Sequence, residues 1–262
     1  MAERGPDVVV HRTPELLAAA AAARLIVRLV DVQAARGTAS FVATGGGMGS
    51  AVLAAVADSP ARDAVDWRRV DVWWGDERFL PSGDPERNET QAREALLDKV
   101  RLDPARVHAM PASGGRFGDD VDAAARAYAD ELAAAATPTD HFPVPEFDVV
   151  LLGVGPDAHV ASLFPSHPAT YEAERTVIGV RGSPKPPPVR VSLTFPSLCR
   201  GREVWLLAAG EGKAGAVALA LSSAGQIAVP AAGVRGTSRT VWLLDRAAAA
   251  QAPQALARPG SP

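Results

Sequence analysis

Three segments of this chain are apolar at every position rather than at every second one: Val149-Val150-Leu151-Leu152, Val204-Trp205-Leu206-Leu207 and Val241-Trp242-Leu243-Leu244. A strand with one wet face alternates polar and apolar residues, so a strand that is apolar throughout needs cover on both faces. Segments of helical length separate the strand-like runs. Together these features predict a three-layer α/β fold: a mainly parallel sheet with helices on both faces. Strands are expected at Val8–His11, Ser40–Thr44, Val70–Trp74, Phe147–Val154, Thr176–Val180, Val189–Thr194, Glu203–Ala208 and Arg239–Leu244, with a short one at Arg106–Ala109. The first helix is the best marked. Thr13 is its N-cap, Pro14 takes the first position, Arg36 ends it and Gly37 stops it. Further helices are expected over 50–57, 88–99, 119–136 and 212–222. Asn88 is the expected cap of the third, with Gln91 three residues on as in a capping box. The segment 137–146 holds three prolines and is a connection.

A length of 262 residues with 47% hydrophobic content allows one sizeable core. A single α/β domain is expected over 1–246. A flexible tail follows over 247–262, frayed from Arg258 onward. The net charge of −3 gives no general attraction to nucleic acid. Cys199 is the one cysteine, so an internal disulfide and a thiolate metal cluster are both excluded, which fits a cytoplasmic setting. Residues 1–6 are polar and carry no secretory signal. The most apolar helix-like run, Leu16–Val32, contains Arg24 and Arg28 and so does not span a membrane.

In parallel sheets, ligands bind beyond the carboxyl ends of the strands. Four loops in that position are polar or glycine-rich. Thr44-Gly45-Gly46-Gly47 joins a strand to a helix, where backbone N–H groups and the helix dipole favour a phosphate. It is not a Walker A loop, because no Lys-Ser/Thr pair follows. Gly75-Asp76-Glu77-Arg78 places three charges directly after a strand. Arg78 suits a phosphate by its forked donors, and Asp76 or Glu77 suits orienting it or handling a proton. Gly153 to His159 ends in Asp157-Ala158-His159, an imidazole that titrates near neutrality beside a carboxylate able to fix its tautomer. Lys213 follows Gly210-Glu211-Gly212 at a helix start, where a cation is disfavoured unless an anion is present. Arg190, at the start of a strand, is a further candidate. His11, His108, His141 and His167 have no comparable setting.

Gly153, Gly155 and Ala158 also satisfy G-x-G-x-x-[GA]. A dinucleotide fingerprint needs a sustained helix after it and an acid at the end of the next strand. Pro165 and Pro168 cut the helix to about two turns, and Glu172 and Glu174 precede the next strand. No Gly-x-Ser-x-Gly elbow, His-Glu-x-x-His or paired-cysteine spacing exists. No cofactor and no metal are called for.

The loops together resemble the 6-phosphogluconolactonase family. The resemblance rests on Thr44-Gly45-Gly46, on Trp74-Gly75-Asp76-Glu77-Arg78-Phe79-Leu80-Pro81 with Asn88 after it, and on Leu152 to Pro165. Arg190-Val191-Ser192-Leu193-Thr194 and Gly210-Glu211-Gly212-Lys213 complete it. It covers the chain from the first strand to about Leu244. It implies a modified Rossmann-like fold similar to glucosamine-6-phosphate deaminase and ribose-5-phosphate isomerase. It also implies hydrolysis of 6-phosphogluconolactone to 6-phosphogluconate in the oxidative pentose phosphate pathway, without a metal. Deaminase-type chemistry and non-catalytic sugar-phosphate sensing are the alternatives. Arg78 and Ser162-Leu163-Phe164-Pro165 stand where the deaminases resembled have other residues, which favours the lactonase. Two departures stand out. Gly47-Met48-Gly49 replaces the family's hydroxyl-bearing continuation, and Ala158 replaces a glycine, where a positive φ would be strained.

Expected roles follow. Thr44, Gly45, Gly46, Gly47, Arg78, Arg190 and Lys213 bind a sugar phosphate lactone. His159, assisted by Asp157 or Asp76, activates water against the lactone carbonyl, and N–H groups of a glycine loop receive the developing charge.

Overall fold

The computed structural model describes residues 5–137, 142–222, 224–253 and 257–260. His141 and residues 138–140 of the proline-bearing connection therefore lie outside the described residues.

The main sheet has seven strands: β1 (Asp7–His11), β2 (Ala39–Ala43), β3 (Val70–Trp74), β5 (Phe147–Gly153), β8 (Gly201–Ala208), β9 (Arg239–Asp245) and β10 (Ala257–Pro259). Their order is β10-β1-β9-β8-β5-β2-β3, and every neighbouring pair is parallel. All six residues from Phe147 to Leu152 are buried, as the apolar runs require of a strand covered on both faces. The one charge among them, Asp148, is buried with partners. It is ion-paired to Arg36 and accepts from Ser40 N–H at 2.9 Å. A buried carboxylate without such donors would be costly.

The helices are α1 (Pro14–Arg36), α2 (Gly46–Asp58), α3 (Asn88–Ala95), α4 (Val121–Ala135), α5 (Phe195–Leu198) and α6 (Ala214–Leu221). α1 begins and ends as the sequence predicts. Thr13 Oγ1 accepts from Leu16 N–H, and Gly37 takes φ 82° with its N–H on the Gln33 carbonyl. α1 and α2 pack on each other and on the main sheet.

Several expectations change. The strands around 176–194 do not join the main sheet. β6 (Val177–Val180) and β7 (Arg190–Leu193) form a small antiparallel sheet with β4 (Asp76–Arg78), in the order β4-β7-β6. The expected polar loop after Gly75 thus opens with a strand. Asn88 is not the cap of α3. Arg87 occupies that position, and the end of the helix is satisfied from outside by the Glu77 carboxylate, which accepts from Asn88 N–H at 2.7 Å and Glu89 N–H at 2.8 Å. Gln91 instead reaches the Pro85 carbonyl. α3 ends at Ala95, short of Lys99. Arg106–Ala109 makes only one bridge, Val107 to Val72. Ala257–Pro259, within the stretch expected to be a flexible tail, pairs with Val8–Val10.

Strand order places the site. From β2 the chain moves outward to β3 on one side. From β5, the neighbour of β2, it moves through β8 and β9 on the other. The reversal lies between β2 and β5, and a crevice forms at their carboxyl ends.

Candidate active site

The crevice is a cavity of about 440 Å³. Its lining includes Thr44, Gly45, Gly46, Gly47, Asp76, Arg78, His159, Arg190 and Lys213, so every predicted site residue except Asp157 faces one space. Asp157 stands immediately behind it, bound to His159.

The glycine turn begins the β2-to-α2 connection. Gly46 has φ 79°, and α2 starts there, four residues earlier than predicted, with no side chain capping its first N–H groups. Those donors are available to an anion. Thr44, at the wall of the same cavity, has its hydroxyl engaged. Its Oγ1 accepts from Gly153 N–H at 3.2 Å and ties the end of β2 to the end of β5.

The β5 loop carries the imidazole. His159 Nδ1 lies 2.5 Å from Asp157 Oδ1. With that carboxylate as acceptor, the proton resides on Nδ1 and the lone pair on Nε2. Burial pushes the Asp157 carboxyl up, but the bond and charge of His159 and the charge of Lys185 outweigh it and hold it well below the usual carboxylate range. The His159 ring packs on Phe164, with centroids 4.6 Å apart. Backbone bonds fix the loop: Gly155 N–H to His159 O at 2.9 Å, Ala158 N–H to Gly155 O at 3.0 Å and Ala231 N–H to Ala158 O at 2.9 Å. The N–H groups of Gly153 and Gly155 are thereby engaged, so this glycine loop does not offer them to a developing charge.

Ala158 has φ 65° and Ala161 φ 49°, so the residues on either side of His159 and Val160 are left-handed without being glycine. Each such residue costs about 1–2 kcal/mol. Ala158→Gly should therefore raise stability by about 1 kcal/mol after the loss of unfolded-state restriction. A higher urea midpoint at unchanged m-value would show it; a lower midpoint would mean that the loop carries no strain.

β4 supplies Asp76 and Arg78. Asp76 is buried. Its Oδ2 accepts from Ser162 Oγ at 2.6 Å and stands 3.8 Å from Arg190 Nη1, while its carbonyl accepts from Asn88 Nδ2 at 2.8 Å. Asp76 therefore engages Ser162, Asn88 and Arg190 rather than Arg78. Arg78 Nη1 donates to the Glu86 carbonyl. Between them, Glu77 is buried among backbone N–H donors and 3.6 Å from Arg87. Burial pushes its carboxyl up to about 7, against the opposing pull of Arg87 and those donors.

Arg190 is buried, and its donors reach the carbonyls of Lys185, Pro186 and Pro187 at 3.0–3.1 Å. It holds the proline-rich loop over the cavity. Lys213 precedes α6. Burial lowers its ammonium pKa, the nearby Lys185 lowers it further, and Asp157 opposes both.

Three residues of the site were given no role from the sequence. Lys185 reaches the cavity from the middle of the Pro184–Pro188 run, with Nζ 3.5 Å from Asp157 Oδ1 and 3.3 Å from His159 Nδ1. Its only sequence signal is a single cation in an otherwise apolar proline run. Ser162 and Asn88 matter as partners of Asp76, which no local pattern announces. Among the described residues, no cluster of three or more His, Cys, Asp or Glu could hold a metal, and no helix is long and apolar enough to cross a membrane.

Known proteins are similar to this chain over nearly its whole length. A 6-phosphogluconolactonase of Streptomyces coelicolor is 68% identical over 256 residues, covering 98% of this chain and 98% of its own. That of Mycobacterium tuberculosis is 52% identical over 239 residues, covering 91% and 95%. The solved 6-phosphogluconolactonase of Trypanosoma brucei superposes with a TM-score of 0.77 at 29% identity, covering 94% of this chain and 98% of that one. The family model described as "Glucosamine-6-phosphate isomerases/6-phosphogluconolactonase" matches residues 12–242. With the fold, the crevice and this coverage in agreement, the chain belongs to the glucosamine-6-phosphate isomerase/6-phosphogluconolactonase family.

Proposed function

We propose that this protein hydrolyses 6-phospho-D-glucono-1,5-lactone to 6-phospho-D-gluconate. The observation that carries the reading is the placement of a tautomer-fixed imidazole in the same cavity as a helix N-terminus and two separate cations, Arg78 and Lys213. The relatives at 68% and 52% identity bear the name 6-phosphogluconolactonase, which supports the same substrate.

The chemistry follows from the geometry. The phosphate takes the N–H groups at the start of α2, with Arg78 and Lys213 balancing its charge. His159 Nε2 removes a proton from water as the water oxygen bonds to C1. The C1–ring-oxygen bond then breaks, the imidazolium returns the proton to that oxygen, and the new carboxylic acid ionises to release one proton to solvent. Asp157 keeps Nδ1 protonated throughout and stabilises the cationic ring. The positive charge of Arg78 and Lys213 in the same cavity also favours the negative charge that forms on the carbonyl oxygen. Asp76, tied to Ser162 and Asn88, holds the β4 wall of the cavity in place.

Acid release from freshly generated 6-phosphogluconolactone, corrected for spontaneous opening, tests the reading. Enzyme-dependent release is expected. Ammonia from glucosamine 6-phosphate would indicate deaminase chemistry instead, and ligand binding without turnover of either compound would indicate a sensor.

A further inference from the structure

A carboxylate against a histidine does two things to it. It fixes the tautomer, which a general base needs. It also stabilises the imidazolium, which a general base must not yet be when water arrives. The second effect operates elsewhere in this protein. His108 lies between Glu131 Oε1 at 2.7 Å and Asp71 Oδ1 at 3.1 Å. Burial pulls its pKa down, yet the two carboxylates prevail and raise it. His159 has one carboxylate, even closer, and its ring also has a cation directly beside it. The Lys185 ammonium is 3.3 Å from the same nitrogen that bonds Asp157.

That ammonium is set there by construction. The Lys185 carbonyl accepts from Ser183 Oγ at 2.8 Å and from Arg190 Nη2 at 3.1 Å, and Lys185 N–H donates to Ser183 Oγ at 3.2 Å. Arg190 also binds the next two carbonyls, and it is itself buried. Around His159, its own loop contributes Asp157 and the uncharged Phe164 ring, over which Arg190 lies at 5.7 Å from the centroid. The loop between β6 and β7 contributes Lys185. The start of α6 contributes Lys213, and β4 contributes Asp76 and Arg78. Lys185 is the cation in hydrogen-bond range of the ring.

We propose that Lys185 is a positioning residue that keeps His159 uncharged, and so able to accept a proton, where Asp157 alone would hold it protonated. The proposal rests on the reading of His159 as the base. Lys185 offsets the electrostatic effect of Asp157 and leaves the hydrogen bond intact, because it can donate to Asp157 Oδ1 while Nδ1 keeps its proton.

The test follows the His159 Cε1–H resonance by NMR as pH varies, in the wild-type protein, Lys185→Met and Lys185→Arg. Lys185→Met should raise the His159 midpoint by about one pH unit, the lower end for a charge at this distance, given its partial exposure. Lys185→Arg should restore most of the wild-type value. In parallel, kcat/KM for the lactone should fall about tenfold in Lys185→Met one unit below the wild-type midpoint, with the loss shrinking as pH rises. An unmoved midpoint would overturn the proposal. So would a loss equal at every pH, which would make Lys185 a substrate-holding residue. Lys185→Gln removes the same charge and serves if the methionine variant misfolds. The NMR midpoint needs no turnover. A moved midpoint without acid release would therefore sink the hydrolase reading and leave the charge balance standing, whereas acid release with an unmoved midpoint would do the reverse.

Discussion

His159→Ala should lower lactone turnover about 10²–10⁴-fold, the usual worth of a positioned general base. Binding of 6-phosphogluconate should survive, because the phosphate donors belong to other segments: the start of α2, Arg78 on β4 and Lys213 before α6. Steady-state acid release and calorimetric titration with the product separate the two effects. The kcat should collapse while Kd changes little. The fold should also persist, since the ring packs on Phe164 and lies outside the main hydrophobic cluster. Turnover at the wild-type rate would remove His159 from the mechanism. Loss of product binding together with turnover would show instead that the β5 loop helps to hold the phosphate.

A methyl group added at Gly155 should be nearly as damaging, for a different reason. The Cβ of an alanine there would overlap both the His159 ring at Nδ1 and Cε1 and the Asp157 carboxylate at Oδ1. Both side chains would have to move, and the pair would lose its alignment. A displacement of about 1 Å can cost about 100-fold in rate, so Gly155→Ala should lower kcat by at least that factor with the product still bound. Gly215→Ala is the matched control. Its added methyl meets no atom within 4 Å, and it lies on the exposed side of α6. Activity retained in Gly155→Ala would mean that the loop can back away from the ring, and that the close approach seen at Gly155 is dispensable.

Much of the site was visible in the sequence because its parts are local. A strand that ends in glycines before a helix announces itself by residue type, and so does a histidine two residues from an aspartate. The positive φ of Ala158 was foreseeable only through the resemblance, in which a glycine stands at this position. What could not be read is what depends on contacts between distant segments. Asn88-x-x-Gln91 has the form of a capping box, yet α3 is capped by Glu77, eleven residues upstream. Asp-Glu-Arg looked like a charged turn because its pairing with Ser192, Val191 and Arg190 is invisible until β7 is placed beside it. Lys185 went unnoticed because the loop that carries it acquires its direction from Arg190, whose three carbonyl bonds have no sequence signature. The parallel sheet was legible from apolar runs. Two strands of the small antiparallel sheet were legible too, but their separation from the main sheet was not, because it depends on the pairing of β7 with the three-residue β4.

β4 has three residues, and all three are committed. Asp76 and Arg78 line the cavity, while Glu77 between them turns inward to the start of α3. Because side chains alternate along a strand, one residue gained or lost at Gly75 would exchange these roles. The anchoring acid would be thrust toward the sugar, and the two working groups would be swallowed by the interior. Length change at that junction is therefore intolerable to the chemistry, and growth of the chain in this region is confined to the exposed turn at Ser82 and Gly83.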